Sequence, residues 1–222
     1  MAVKDEDEIL TMKLAAKLSS DVLGRVVKVK VLDIIDEERK ETHSAIADDV
    51  EKYITEANEE KFAKHAKKLK LETELLESCF SPIIQSAGKF NLKVSAQSDE
   101  ETLQQGVIVA VVGARYKSYC ANAARTFIVG EPTKAQEKNY KFLLEVQAEA
   151  LKTMKAGKAV SGVYARVKEF VAEKRQDLSK HLTKNAGFGL GIDFRESALL
   201  LNEKCKENFA ENMVFNLAIG FR

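Results

Sequence analysis

The chain has 222 residues, 45% of them apolar and 31% charged, and carries a formal charge of +1 at pH 7. That length fits one large domain or two small ones with a sizeable core, and the near-neutral charge excludes the chain-wide basic field that steers proteins onto DNA. No apolar run approaches the roughly 20 residues that span a bilayer; Cys79, Cys120 and Cys205 show no CxxC spacing, and the start "MAVKDEDEIL" lacks a cationic flank with an apolar core, so a reducing, cytosolic or nuclear interior is expected rather than secretion.

In chain order, residues 5–23 predict a helix, with Ile9 or Leu10, Leu14, Leu18 and Val22 at helical spacing behind an acidic first turn that suits the positive end of the helix dipole. Residues 43–56 repeat the pattern with Ile46, Val50, Tyr53 and Ile54. Between them "VVKVKVLDII" alternates briefly and then runs apolar, which leaves strand and helix both open. The stretch 59–72 is the most basic, gathering Lys61, Lys64, Lys67, Lys68 and Lys70, and reads as a solvated helix face or linker ahead of a phosphate or acidic-partner contact. From about residue 76, "CFSPIIQSAGKFNLKVSA" is β-branched and punctuated by Pro82 and Gly88, predicting strand, turn, strand.

Residues 106–130, "GVIVAVVGARYKSYCANAARTFIVG", read as two strands around a turn, yet contain no aspartate or glutamate. Thr133 with Gln136 forms a capping box before a helix whose Tyr140, Leu143, Leu144, Gln147 and Leu151 line one face until Gly157. A second helix spans about 161–174, marked by Val163, Val167, Phe170 and Val171, followed by the glycine-spaced "NAGFGLGIDFRES" and a strand, "MVFNLAIGF". This order describes an α+β fold with a sheet covered on one face by helices.

Few isolated motifs carry chemistry. The spacing of Gly187, Gly189 and Gly191 is not G-x-G-x-x-G and no GK[ST] follows, so backbone turning or close approach in a sheet explains them better than a phosphate loop. His43, His65 and His181 never stand at metal-ligand spacing and read as surface or core histidines. Cys120 reads as a small packed strand residue rather than a nucleophile.

The segments "GARYKSYCANAARTF", "GFGLGIDFRES" and "MVFNLAIGF", with a helix pair between the first two, resemble the pita-bread fold of methionine aminopeptidases, proline peptidases and creatinase, over nearly the whole chain from about Lys4 to Arg222. Within that group "KSYCANAARTF", "NYKFLL", "LTKNAGFGLGIDFRES" and "MVF" are closest to the peptidase-like N-terminal domain of the large subunits of FACT, a histone chaperone. The resemblance implies a curved, mainly antiparallel sheet, one peptidase-like domain over residues 1–222, and a chain that is a fragment or a reduced relative of a longer protein. Enzymes of the fold hold two metals with two aspartates, a histidine and two glutamates. Residue by residue, the aspartates fall on Val111 and Asn122, the ligand histidine on Phe188, the downstream catalytic histidine on Arg195 and the first glutamate on Ala218. The resemblance therefore implies no metal, no cofactor and no catalysis. It leaves a pocket that either packs shut or takes an extended peptide through Asn122, Arg125, Phe188 and Arg195.

It further implies a nuclear, chromosomal protein that binds core histones, pairs with an HMG-box subunit, and acts in transcription, replication and repair without specific nucleic-acid contacts of its own. The acidic stretches 4–8, 36–38 and 98–102 are candidate histone contacts beside their reading as solvated surface. Two alternatives stand beside this one: a metallopeptidase with displaced ligands such as Asp193 or Glu196, and a scaffold that docks replication or transcription proteins without histone affinity.

Overall fold

Two runs of eleven residues, β3 (Gly106–Tyr116) and β4 (Tyr119–Val129), pair antiparallel along their full length from Gly106↔Val129 to Tyr116↔Tyr119. The two-residue connection is Lys117–Ser118, both at positive φ (47° and 70°), the twist that lets a tight turn follow the right-handed coil of its strands. This is a computed structural model that describes residues 3–55, 60–93 and 95–222. The chain divides into two compact units: Glu6–Glu131 forms one, and Pro132–Arg222 with the segment up to Asp5 forms the other.

In the hairpin unit, the outer edge of β3 is shared by two short strands, β1 (Leu76–Ser78) at Ala114–Tyr116 and β2 (Ile83–Gln85) at Val109–Val111. The strand, turn, strand expectation thus resolves into two pieces running the same way, both paired to β3 and interrupted around Pro82, which has no N–H to give a ladder. Lys89–Lys93 forms no strand. Helix α1 (Glu6–Val22) packs on β3 and β4. It buries Met12, Ala15, Leu18, Ser19 and Val22, while Leu10 faces outward. Ser19 ties the layers together: its hydroxyl accepts the Ala114 N–H at 3.1 Å and lies 3.2 Å from the Ala121 carbonyl.

The stretch left open between strand and helix is helical, a π-turn at Leu23–Val27 leading into α2 (Lys28–Asp36). Leu23, Val27, Val31 and Ile34 are the buried residues, and their spacing is helical, so packing overrides the local alternation. Helices α3 (His43–Thr55) and α4 (Glu60–Leu69) complete the unit. Glu56, at the end of the expected 43–56 helix, lies outside the described residues, as do Glu59 and the Lys61 side chain of the basic stretch; that stretch is helical through Leu69 and leaves the helix at Lys70, with Lys64, Lys67, Lys68 and Lys70 exposed.

The second unit begins with α5 (Lys134–Thr153), capped as expected: Thr133 Oγ1 accepts the Gln136 N–H and the Gln136 side chain accepts the Thr133 N–H. Its buried face is Phe142, Val146 and Ala150, not the one expected; Leu144 and Leu151 are exposed. Two apolar stripes coexist on this helix, and contact with α6 (Ser161–Lys174) selects one. Phe142 stacks on Phe170 and Phe221 with ring centroids 5.8 and 6.0 Å apart. A three-stranded antiparallel sheet, β6 (Glu196–Leu200), β5 (Gly187–Gly189) and β7 (Phe215–Leu217), closes this unit. Every paired strand of the described residues is antiparallel, as expected for the fold. Among the described residues no helix is long and apolar enough to cross a membrane.

Candidate functional site

Residues opposite one another in an antiparallel pair share a face, and alternate residues along a strand swap faces. The register pairs Gly113 with Asn122 and Val111 with Ala124. Val111 and Asn122 therefore project from one face of the hairpin, at diagonal positions about 7–8 Å apart. Arg125, three residues beyond Asn122, belongs to the opposite face; it is exposed and its Nη1 donates to the Ala124 carbonyl at 2.7 Å. The expected grouping of Arg125 with Asn122 is thus corrected by strand parity.

An aromatic ring covers the Val111–Asn122 face at its centre. A Cβ on Gly113 would stand 2.5 Å from the Phe80 ring and 3.1 Å from Cys79 Cβ, so the strand needs glycine there to admit them. The Cys79 thiol is pushed up from its ordinary pKa by a hydrogen bond with the Cys120 thiol and by burial. A thiol so held is a packed group, not a nucleophile.

In the second unit, Phe188 at the centre of β5 is 4% exposed and pairs with Asn216 and Leu200. Ala218 follows β7, exposed, and its N–H donates to the Ala186 carbonyl at 2.8 Å. Arg195 precedes β6 and is half-buried, with its guanidinium carbon 6.0 Å from the Phe188 ring centroid. Its Nε is buried and has no hydrogen-bond partner. The structure thus brings Phe188 together with Arg195, and Val111 with Asn122, each pair within its own unit.

The glycine spacing has a local cause that no motif reveals. Lys4, 3% exposed, donates from Nζ to Glu196 Oε1 at 2.9 Å, and its own N–H donates to the Asn212 carbonyl. A Cβ on Gly191 would lie 2.6 Å from Glu196 Oε1 and 3.1 Å from Lys4 Nζ; one on Gly189 would lie 2.8 Å from Leu199 Cβ; one on Gly187 would lie 1.9 Å from the Asn216 carbonyl oxygen. Close approach, not phosphate cradling, explains all three. Of the two carboxylates considered as displaced ligands, Glu196 is neutralised by Lys4, and Asp193 is exposed.

His43 and His65 are structural. His43 Nδ1 lies 2.5 Å from Asp99 Oδ1 and its Nε2 lies 2.7 Å from Ser86 Oγ, a carboxylate–imidazole–hydroxyl line. Ser86 is 1% exposed and already accepts the Gln104 N–H at 2.9 Å, so its hydroxyl is sealed from any substrate. The hydrogen bond from His43 holds the Asp99 carboxyl below the usual carboxylate range, against a smaller opposing effect of burial. His65 joins α4 to Asp21 on α1 at 3.2 Å. Among the described residues no three His, Cys, Asp or Glu side chains converge as a metal site requires.

Comparisons with known proteins agree on one lineage. The profile of metallopeptidase family M24 matches residues 11–222. A FACT complex subunit SPT16 of Yarrowia lipolytica is 37% identical across 100% of this chain and 22% of its own length, so the chain spans about a fifth of that relative. The N-terminal domain of FACT complex subunit SPT16 from chickpea superposes with a TM-score of 0.90 at 39% identity, covering 99% of this chain and 50% of that one. An X-Pro aminopeptidase of Thermotoga maritima superposes at 0.76 with 25% identity, covering 99% and 55%.

Proposed function

The chain belongs to metallopeptidase family M24, and we propose that it is a non-enzymatic, protein-binding member of that family: the peptidase-like domain of a FACT-type large subunit, engaging core histones. The observation that carries this reading is the chemistry at the five positions where the fold's enzymes place metal ligands and a catalytic histidine. Val111 and Ala218 cannot ligate, Phe188 is aromatic, Asn122 offers a neutral carbonyl and Arg195 is a cation. Two divalent ions about 3.5 Å apart repel by on the order of 20 kcal/mol at an effective dielectric near 20, and the carboxylates of a two-metal site exist to offset that. These residues do not fit a metal pair.

The similarity to SPT16 subunits supports the FACT-type assignment. With it come the HMG-box partner, the nuclear and chromosomal location and roles in transcription, replication and repair, all as parts of the same proposal. Residues 1–222 are read as a single peptidase-like domain because one family profile runs through both units. Attraction to basic histones draws on acidic surface. Within the stretches singled out above, Asp36, Glu38 and Glu100 are exposed, whereas Glu37 pairs with Arg39, Glu101 with Lys89 and Asp99 with His43. Exposed charge of this kind is screened by salt.

Crosslinking of the chain to core histones, followed by peptide mapping, tests the reading. It predicts crosslinks that fade as salt rises. Absence of histone retention at moderate salt defeats it in favour of a docking scaffold for other nuclear proteins.

A further inference from the structure

Arg195 is chemically unfinished. Among the described residues its guanidinium makes no ion pair or hydrogen bond, and its Nε is buried without an acceptor. A guanidinium has five N–H donors and no acceptor, and leaving a buried donor unmatched is costly. The adjacent Glu196 does not answer it, being engaged by Lys4 at 2.9 Å. Phe188 lies beneath it, 6.0 Å from ring centroid to guanidinium carbon and itself 4% exposed, which supports one side of the guanidinium; Arg195 is half-buried and only its Nε is sealed, so the two terminal nitrogens are the donors a ligand can reach.

We propose that Arg195, backed by Phe188, is a receptor for a carboxylate of a bound polypeptide, either a chain-terminal carboxylate or an aspartate or glutamate side chain. Planar fork-to-fork pairing is the geometry guanidinium and carboxylate share. The position that would belong to a catalytic imidazole thereby becomes a selector for negative charge, and a lysine-rich segment is repelled there. The inference rests on the reading of this chain as a peptide-binding rather than peptide-cleaving domain. It goes beyond that reading by naming the ligand group, and it removes Arg125, on the opposite face of β4 from Asn122, from the set of carboxylate contacts.

The test is nuclear magnetic resonance of the whole 222-residue chain labelled at arginine Nε, with the Arg195 signal assigned by its loss in R195K. Three probes are titrated: Ac-Ala-Ala-Leu with a free carboxylate, the same peptide as its amide, and Ac-Ala-Glu-Ala as its amide. The proposal expects the Arg195 Nε–H signal to move with the first or third probe and stay still with the second. The first moving alone identifies a chain terminus as the source, and the third alone an acidic side chain. R195K should bind the active probe at least about tenfold more weakly, since the fork is lost while the charge is kept. R195M, which keeps the aliphatic stem, should melt no lower than the parent. Three results overturn the proposal: no movement with either carboxylate probe, equal movement with the uncharged peptide, or a melting point in R195M lower by more than about 5 °C, which would reveal an internal partner. Histones retained without any Arg195 shift would remove this subsite and leave the proposed function standing. A shift without histone retention would do the reverse.

Discussion

The hairpin of β3 and β4 and the small sheet of β5, β6 and β7 differ in the charge they carry at the residues singled out above. In the hairpin Val111 and Asn122 are uncharged and half-buried, and Phe80 lies over Gly113 beside them. In the small sheet charge is present. Glu196 is tied to the buried Lys4, and Arg195 is left with an unmatched donor above Phe188. One region is uncharged and half-buried; the other holds a buried ion pair and a guanidinium with an unmatched donor.

That contrast breaks most visibly at Gly187. With φ at +137° and a Cβ that would stand 1.9 Å from a backbone oxygen, Gly187→Ala should cost more than about 3 kcal/mol and melt the small sheet, measured by chemical denaturation. Lys4→Met leaves the Glu196 carboxylate without its cation and should destabilise by about 3–5 kcal/mol, with Lys4→Met/Glu196→Gln recovering much of the loss. A double variant no better than the single would show that the pair contributes through packing alone.

The hairpin responds less. Gly113→Val drives a side chain into the Phe80 ring and should cost about 1–3 kcal/mol, with Phe80→Ala in the same chain relieving part of it. The smallest effect concerns Asp99, whose carboxyl is held low by His43. Its folded pKa lies below its unfolded one, so its contribution is present above about pH 4 and lost as pH falls through the depressed value. Asp99→Asn should therefore be slightly less stable than the parent at neutral pH, and the gap should close below pH 4. A gap that widens on acidification contradicts this assignment.

Much of this was legible in the sequence because it is local. A tight turn between two strands sets the pairing of Gly113 with Asn122, and the same parity puts Arg125 on the other face, a sign that the expected grouping of Arg125 with Asn122 overlooked. The Thr133–Gln136 box and the spacing of Val163, Val167 and Phe170 fix two helices within a few residues. What the sequence hides is chosen by distant partners. Either stripe of α5 suits burial, and only packing against α6 selects Phe142, Val146 and Ala150 over Leu144 and Leu151. Lys4 and Glu196 stand 192 positions apart, and the glycines that make room for them announce close approach without saying to what. Phe80 was equally hidden, although an isolated glycine at the centre of a long strand was the available sign of it.

The central claim is that a site without anionic oxygens cannot hold paired dications, whatever fold surrounds it. Calorimetric titration of manganese into the purified chain, run beside an Xaa-Pro dipeptide assay, addresses it directly. The account predicts no saturable uptake and no turnover. Binding of two manganese ions per chain accompanied by dipeptide hydrolysis would contradict it.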